Sequence, residues 1–96
     1  MSIHDQPTPS LDDFRSQIDE LDSELLRVLA QRMYYVREIG KLKQSGGMSP
    51  LQQERFAAII KSQLAKAKSL NLSEKFVDDL YQLIHEYALE IQREEK

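Results

Sequence analysis

Four cations in this chain sit among apolar neighbours, and they are the residues whose types and spacing invite chemistry. Arg32 falls midway between Leu29 and Val36, where the surrounding pattern calls for an apolar residue. Lys43 follows it by eleven residues, about three helical turns, so the two share a helix face. Arg15 and Arg55 border the apolar stripes of their own segments, and Gln92 continues the line Leu80, Ile84, Ala88 with an amide donor. One such cation is ordinarily a snorkelling side chain or half of a solvated ion pair. Four of them with an amide, and no matching acids on those stripes, fit an anionic ligand better.

Other chemistries are poorly supplied. The absence of Cys removes disulfide scaffolds, thiol catalysis and Cys-ligated zinc or iron–sulfur centres. His4 lies in a polar head, and His85 has no second His at ligand spacing. His85-Glu86 does not extend to the helical zinc pattern, so it reads as a helix-face histidine. The sequence contains no glycine-rich phosphate loop, serine elbow or clustered acid pair. Neither a metal nor a cofactor is expected. With 13 Lys and Arg against 16 Asp and Glu, the net charge of −3 lacks the basic footprint of a nucleic-acid binder. No apolar run approaches the roughly 18 residues a membrane span needs. Residues 1–10 have neither the basic region nor the apolar core of a signal peptide. A soluble, cytoplasmic domain is expected, with no nucleic-acid or membrane partner.

The elements that must position these residues are helices. At 96 residues, 41% apolar and 30% charged, the chain has the length and composition of one small globular domain. Residues 1–10, with Pro7 and Pro9, read as a disordered head or linker, and residues 11–96 as the domain. From Leu11 to about Lys43, apolar residues recur at helical spacing: Leu11, Phe14, Ile18, Leu21, Leu25, Val28 or Leu29, Val36, Ile39. Ser10 serves as N-cap, with Asp12 and Asp13 complementing the helix dipole, and Gly46-Gly47 ends the helix. Gly40 lies inside this pattern, where it costs roughly 1 kcal/mol relative to Ala and calls for a close-packing reason.

Ser49-Pro50-Leu51-Gln52 reads as a capping box opening a second helix whose apolar face is Phe56, Ile59, Ile60, Leu64 and Ala67. It should end near Ser69. Ser73 then caps a third helix carrying Phe76, Val77, Leu80, Leu83, Ile84, Tyr87, Ala88 and Ile91. The fold class is all-α, one long helix followed by two shorter ones. A helix from Leu11 to Lys43 is about 50 Å long, whereas a compact domain of this size has a radius of gyration near 12–13 Å. Either the helix breaks at Gly40, or a second copy of the chain covers the rest of its stripe. An entwined homodimer is the favoured alternative.

The residues themselves resemble a known family. The run from Leu11 to Asp22, then Leu25-Leu26, Gln31-Arg32-Met33 and Glu38-Ile39-Gly40-Lys41-Leu42-Lys43, is similar to the opening of the all-helical chorismate mutases. The likeness continues through Glu54-Arg55 and Asn71-Leu72-Ser73 to Ile91-Gln92 and covers about 80 residues. It implies an entwined helical dimer that rearranges chorismate to prephenate without a cofactor. It further implies that Arg15, Arg32, Lys43, Arg55 and Gln92 face this dicarboxylate substrate. Arg15 and Arg32 are 17 residues apart, about 25 Å along one helix. They can hold one small ligand only if Arg15 comes from the partner chain, which is the arrangement the resemblance implies.

Three positions depart from the family pattern. Gln52 stands where many members carry Asp, Phe56 where an acid often meets the ring hydroxyl, and Ala88 where Ser commonly assists carboxylate binding. Gln52 also has a structural explanation as the third residue of the capping box. In the implied reaction the arginines clamp the two carboxylates, while Lys43 and Gln92 donate to the ether oxygen as its bond lengthens. Three alternatives share the scaffold. One is an isochorismate-pyruvate lyase, and another is a mutase of a ring-substituted chorismate. The third is a non-catalytic helical dimer that docks onto a partner enzyme. Association with the enzyme that opens the shikimate pathway is also within the family's range.

Overall fold

The computed structural model of the chain describes residues 8–46 and 52–94, with side chains over 8–42 and 54–94. It contains three helices, α1 (Leu11–Gly46), α2 (Gln52–Ser69) and α3 (Glu74–Glu94), and no strand among the described residues. The all-α expectation holds. α1 continues past the apolar pattern at Lys43 to Gly46, where the glycine pair was expected to end it, and passes Gly40 without interruption. The break at Gly40 does not occur. The capping box expected at Ser49 to Gln52 lies outside the described residues and side chains.

Each described helix end has an identifiable stop. The Ser10 Oγ accepts the Asp13 N–H at 3.1 Å, while the Ser10 N–H donates to Asp13 Oδ2 at 2.9 Å. This reciprocal box satisfies orphan donors at the start of α1, and the return bond from Asp13 adds to its expected dipole role. α2 closes in a Schellman motif: Leu72 N–H donates to the Ala67 carbonyl at 2.9 Å and Asn71 N–H to the Lys68 carbonyl at 3.3 Å. Asn71, with φ of 60°, supplies the left-handed residue that this motif needs. Two residues later, Ser73 Oγ accepts the Phe76 N–H at 3.1 Å and caps α3.

The described residues fall into two compact units, divided between Arg32 and Met33. In the first, Leu11, Phe14, Ile18, Leu21, Leu25 and Val28 of α1 are all more than half exposed. Their steps of three and four residues form a continuous apolar seam that is exposed among the described residues. In the second unit, α2 and α3 make an antiparallel hairpin in which Ala67 and Val77 are buried. Gln63 Nε2 donates to the Tyr81 hydroxyl across that hairpin at 2.6 Å. Met33 and Val36 of α1 form a core cluster with Ile91 of α3, and Ile84 and Ala88 pack against it.

The expected apolar bands therefore divide. On α1, Met33, Val36 and Gly40 are buried, whereas Tyr35, Ile39 and Leu42 stay exposed. Neighbouring residues on a helix lie about 100° apart, so these are two adjacent faces and not one. On α3, Val77 and Ile91 are buried and Ile84 and Ala88 half-buried, while Phe76, Leu80, Leu83 and Tyr87 face outward. No helix among the described residues is long and apolar enough to cross a membrane.

Candidate active site

One line along α3 organises the second unit. Tyr81, His85, Ala88 and Gln92 recur at steps of four, three and four residues, which keeps them on one helix face. Tyr81 accepts its hydrogen bond from α2, and one turn later the His85 ring stacks on Phe56 of α2. The ring centroids are 3.8 Å apart with an interplanar angle of 13°. Ala88 packs against the cluster that α1 and α3 share. Gln92, half-buried, then directs its Nε2 at the Val36 carbonyl of α1 over 3.4 Å. Thus α3 braces α2 with its earlier turns and α1 with its later ones.

Gly40 of α1 lies against the far end of this line. A Cβ built on Gly40 would lie 3.4 Å from Gln92 Cγ and 3.6 Å from Gln92 Cα, so a methyl would just fit and a larger side chain would meet Gln92.

The remaining expected site residues are placed as follows. Arg15 is exposed and Arg32 half-buried, both on the α1 segment of the first unit. Arg55 is exposed on the first turns of α2, beside the half-buried Phe56. Lys43 lies on α1 and Gln52 opens α2, but both side chains fall outside those described. Phe56, noted in the sequence for the acid it replaces, has a partner there that spacing did not reveal, namely His85. The signal that could have found it is the shared line of His85 with Ala88 and Gln92. Among the described residues no cluster of His, Cys, Asp or Glu could hold a metal. Lys75, at the exposed start of α3 and outside this line, is held above its ordinary pKa by a 2.8 Å hydrogen bond to Asp79.

The pattern of the type II chorismate mutases matches residues 14–93, which includes every residue of this line and the two candidate arginines Arg15 and Arg32. The chain belongs to the type II chorismate mutase family. Among curated relatives of this family member, the T-protein of Haemophilus influenzae is 32% identical over 71 residues, 74% of this chain and 19% of that protein. The isochorismate pyruvate lyase of Pseudomonas aeruginosa is 35% identical over 81 residues, 83% of this chain and 79% of that protein. The intracellular chorismate mutase of Mycobacterium tuberculosis is 33% identical over 58 residues, 60% of this chain and 55% of that protein. The chain spans about a fifth of the length of the T-proteins it matches. No solved structure matches it.

Proposed function

We propose that this chain is a cytoplasmic chorismate mutase, an isomerase that converts chorismate to prephenate by an intramolecular Claisen rearrangement. The observation that carries the reading is Gln92. It is a half-buried neutral amide beside the apolar surface of Ala88, in a chain that matches the family over residues 14–93. The reaction breaks a carbon–oxygen bond as a carbon–carbon bond forms and needs no nucleophile or proton transfer. It needs the enolpyruvyl arm held folded over the ring, which removes an entropic part of the barrier. In this reading Arg32, Arg55 and the partner's Arg15 clamp the two carboxylates through charge-assisted hydrogen bonds. Lys43 and Gln92 donate to the ether oxygen as negative charge builds on it, and such a donor pair supplies about 3–4 kcal/mol or more. Gln52 and Ala88 border the substrate.

The reading includes a homodimer. Its support is the exposed seam from Leu11 to Val28 in the first unit and, in the second unit by itself, the exposed Phe76, Leu83 and Tyr87 of α3. Surfaces of that kind on so small a core call for a second chain. Association with a further shikimate-pathway enzyme belongs to the same reading, and co-purification with that enzyme tests it.

A second reading is favoured by a specific observation, the likeness to the isochorismate pyruvate lyase over 79% of that protein. The stack of Phe56 on His85 also removes a carboxylate from the place where ring hydroxyl recognition is expected. Incubating the purified protein separately with chorismate and isochorismate, with products identified, separates the readings. Prephenate from chorismate supports the mutase. Pyruvate release from isochorismate with chorismate untouched would replace it with the lyase, and inertness toward both would leave the docking module.

A further inference from the structure

We propose that position 40 is a positioning residue for Gln92: a side chain no larger than a methyl there lets α3 lie close enough on α1 for the Gln92 amide to rest on the Val36 carbonyl. The inference deepens the mutase reading and rests on it, because it assigns Gly40 a role only through a donor that faces the substrate.

The case begins with what the glycine costs. Gly40 lies in the interior of an unbroken helix and is buried, a position where Ala would favour the helix by about 1 kcal/mol. The neighbour that limits side-chain size there is Gln92. The three atoms nearest to a Cβ built there are Gln92 Cγ at 3.4 Å, Cα at 3.6 Å and Cβ at 3.7 Å. All three belong to the one residue that the functional reading makes a donor. The backbone of α1 is thus the surface against which the stem of Gln92 lies.

The amide completes the geometry. In an α-helix the carbonyl of Val36 receives the N–H of residue 40, and its second lone pair remains open to another donor. Gln92 Nε2 approaches that carbonyl at 3.4 Å. This is long for an N–H···O bond, so it steers the amide without holding it against a better acceptor. One residue of α1 therefore receives the stem while the carbonyl one turn earlier aims the head.

Side-chain size at position 40 should then act in steps. A methyl meets Gln92 at ordinary van der Waals distance and fits. A β-branched side chain extends about one further bond into the volume of the Gln92 stem, and forcing it there shifts backbone and rotamers. α3 must then lift, and the amide leaves the carbonyl.

The test is a double-mutant cycle on prephenate formation, measured on the full chain. Gly40→Ala and Gly40→Val are made in the parent and in Gln92→Ala. Gln92→Ala should lower kcat by about 100-fold or more, as loss of an oxyanion-type donor does. Gly40→Ala should fold like the parent, with an equal or higher Tm and a loss in kcat below about threefold. Gly40→Val should lose roughly tenfold or more in kcat with KM within about twofold. The decisive arm is Gly40→Val with Gln92→Ala, which should be no slower than Gln92→Ala alone. Losses that multiply, with Gln92→Ala impaired, would overturn this inference and leave the mutase reading intact. A Gln92→Ala protein with parental kcat would overturn both. Should the valine variant not fold, Gly40→Ser takes its place in the same cycle under the same criteria.

Discussion

A neutral amide donates a hydrogen bond at every physiological pH, and that makes position 92 testable by titration. In Gln92→Glu the side chain is nearly isosteric but donates only when protonated. In the mutase reading the ionised form would set negative charge beside an oxygen that is itself becoming negative. Burial raises the new carboxyl pKa and Lys43 lowers it; whichever prevails, activity should climb as pH falls through that pKa. The climb ends where the substrate carboxylates or the fold begin to protonate. Profiles of kcat/KM against pH for parent and variant check this, and superimposable acidic limbs would remove Gln92 from the ether oxygen. The residue was legible in the sequence because an amide interrupts an apolar line. Gly40 was legible as an anomaly for the same reason. Neither their contact nor the stack of Phe56 on His85 was legible, because both join residues of different helices and no local spacing encodes such a pairing.

The helices themselves were legible nearly to their ends, since period, caps and breakers are all local signals. Ser10 and Ser73 stand where their side-chain oxygens receive the first free N–H groups, and α2 ends at Ser69 as its pattern foretold. What the pattern did not disclose was how α2 stops, because Asn tolerates a left-handed backbone but does not announce one. Asn71 at φ 60° makes a specific demand. Asn71→Ala should destabilise the protein by about 1 kcal/mol, because a Cβ without a compensating polar group is strained there. Asn71→Gly should stay within about 0.5 kcal/mol of the parent, with relief of strain offset by chain entropy. Ser73→Ala should cost about 1 kcal/mol by leaving the Phe76 N–H without its acceptor. Urea unfolding of the three variants at one fixed protein concentration measures these differences.

The length of α1 raised the expectation of a second copy, but which of its faces the chain covers with itself was not legible. Val36 and Ile39 read as one band, yet Val36 is buried while Ile39 is 45% exposed. Hydropathy cannot say which of two adjacent apolar faces a chain covers with itself. If a second copy covers the open face, stability should rise with protein concentration, and sedimentation should find a dimer. A stably folded monomer at micromolar concentration would remove the shared site along with the dimer. Complementation tests the sharing directly. Arg15→Ala and Arg32→Ala homodimers should each fall by about 100-fold or more in kcat/KM. After subunit exchange the mixed dimers should recover one intact site of two, read as a return of activity in the mixture. No return after verified exchange would place Arg15 outside its partner's site.

The hairpin of α2 and α3 also has a consequence in time. Its Gln63–Tyr81 bond joins residues 18 apart, whereas the Gln92–Val36 bond spans 56. Closing the longer loop costs about 1 kcal/mol more in chain entropy, so the hairpin should order first, with α1 docking later. If the proposed dimer forms, encounter with a second chain can only follow, at a rate set by how often two chains meet. Refolding from denaturant should therefore show an early helical phase indifferent to dilution and a later one that slows with it. Nascent chains would pass through the interval between them with the seam of α1 bare, and that interval lengthens as expression falls.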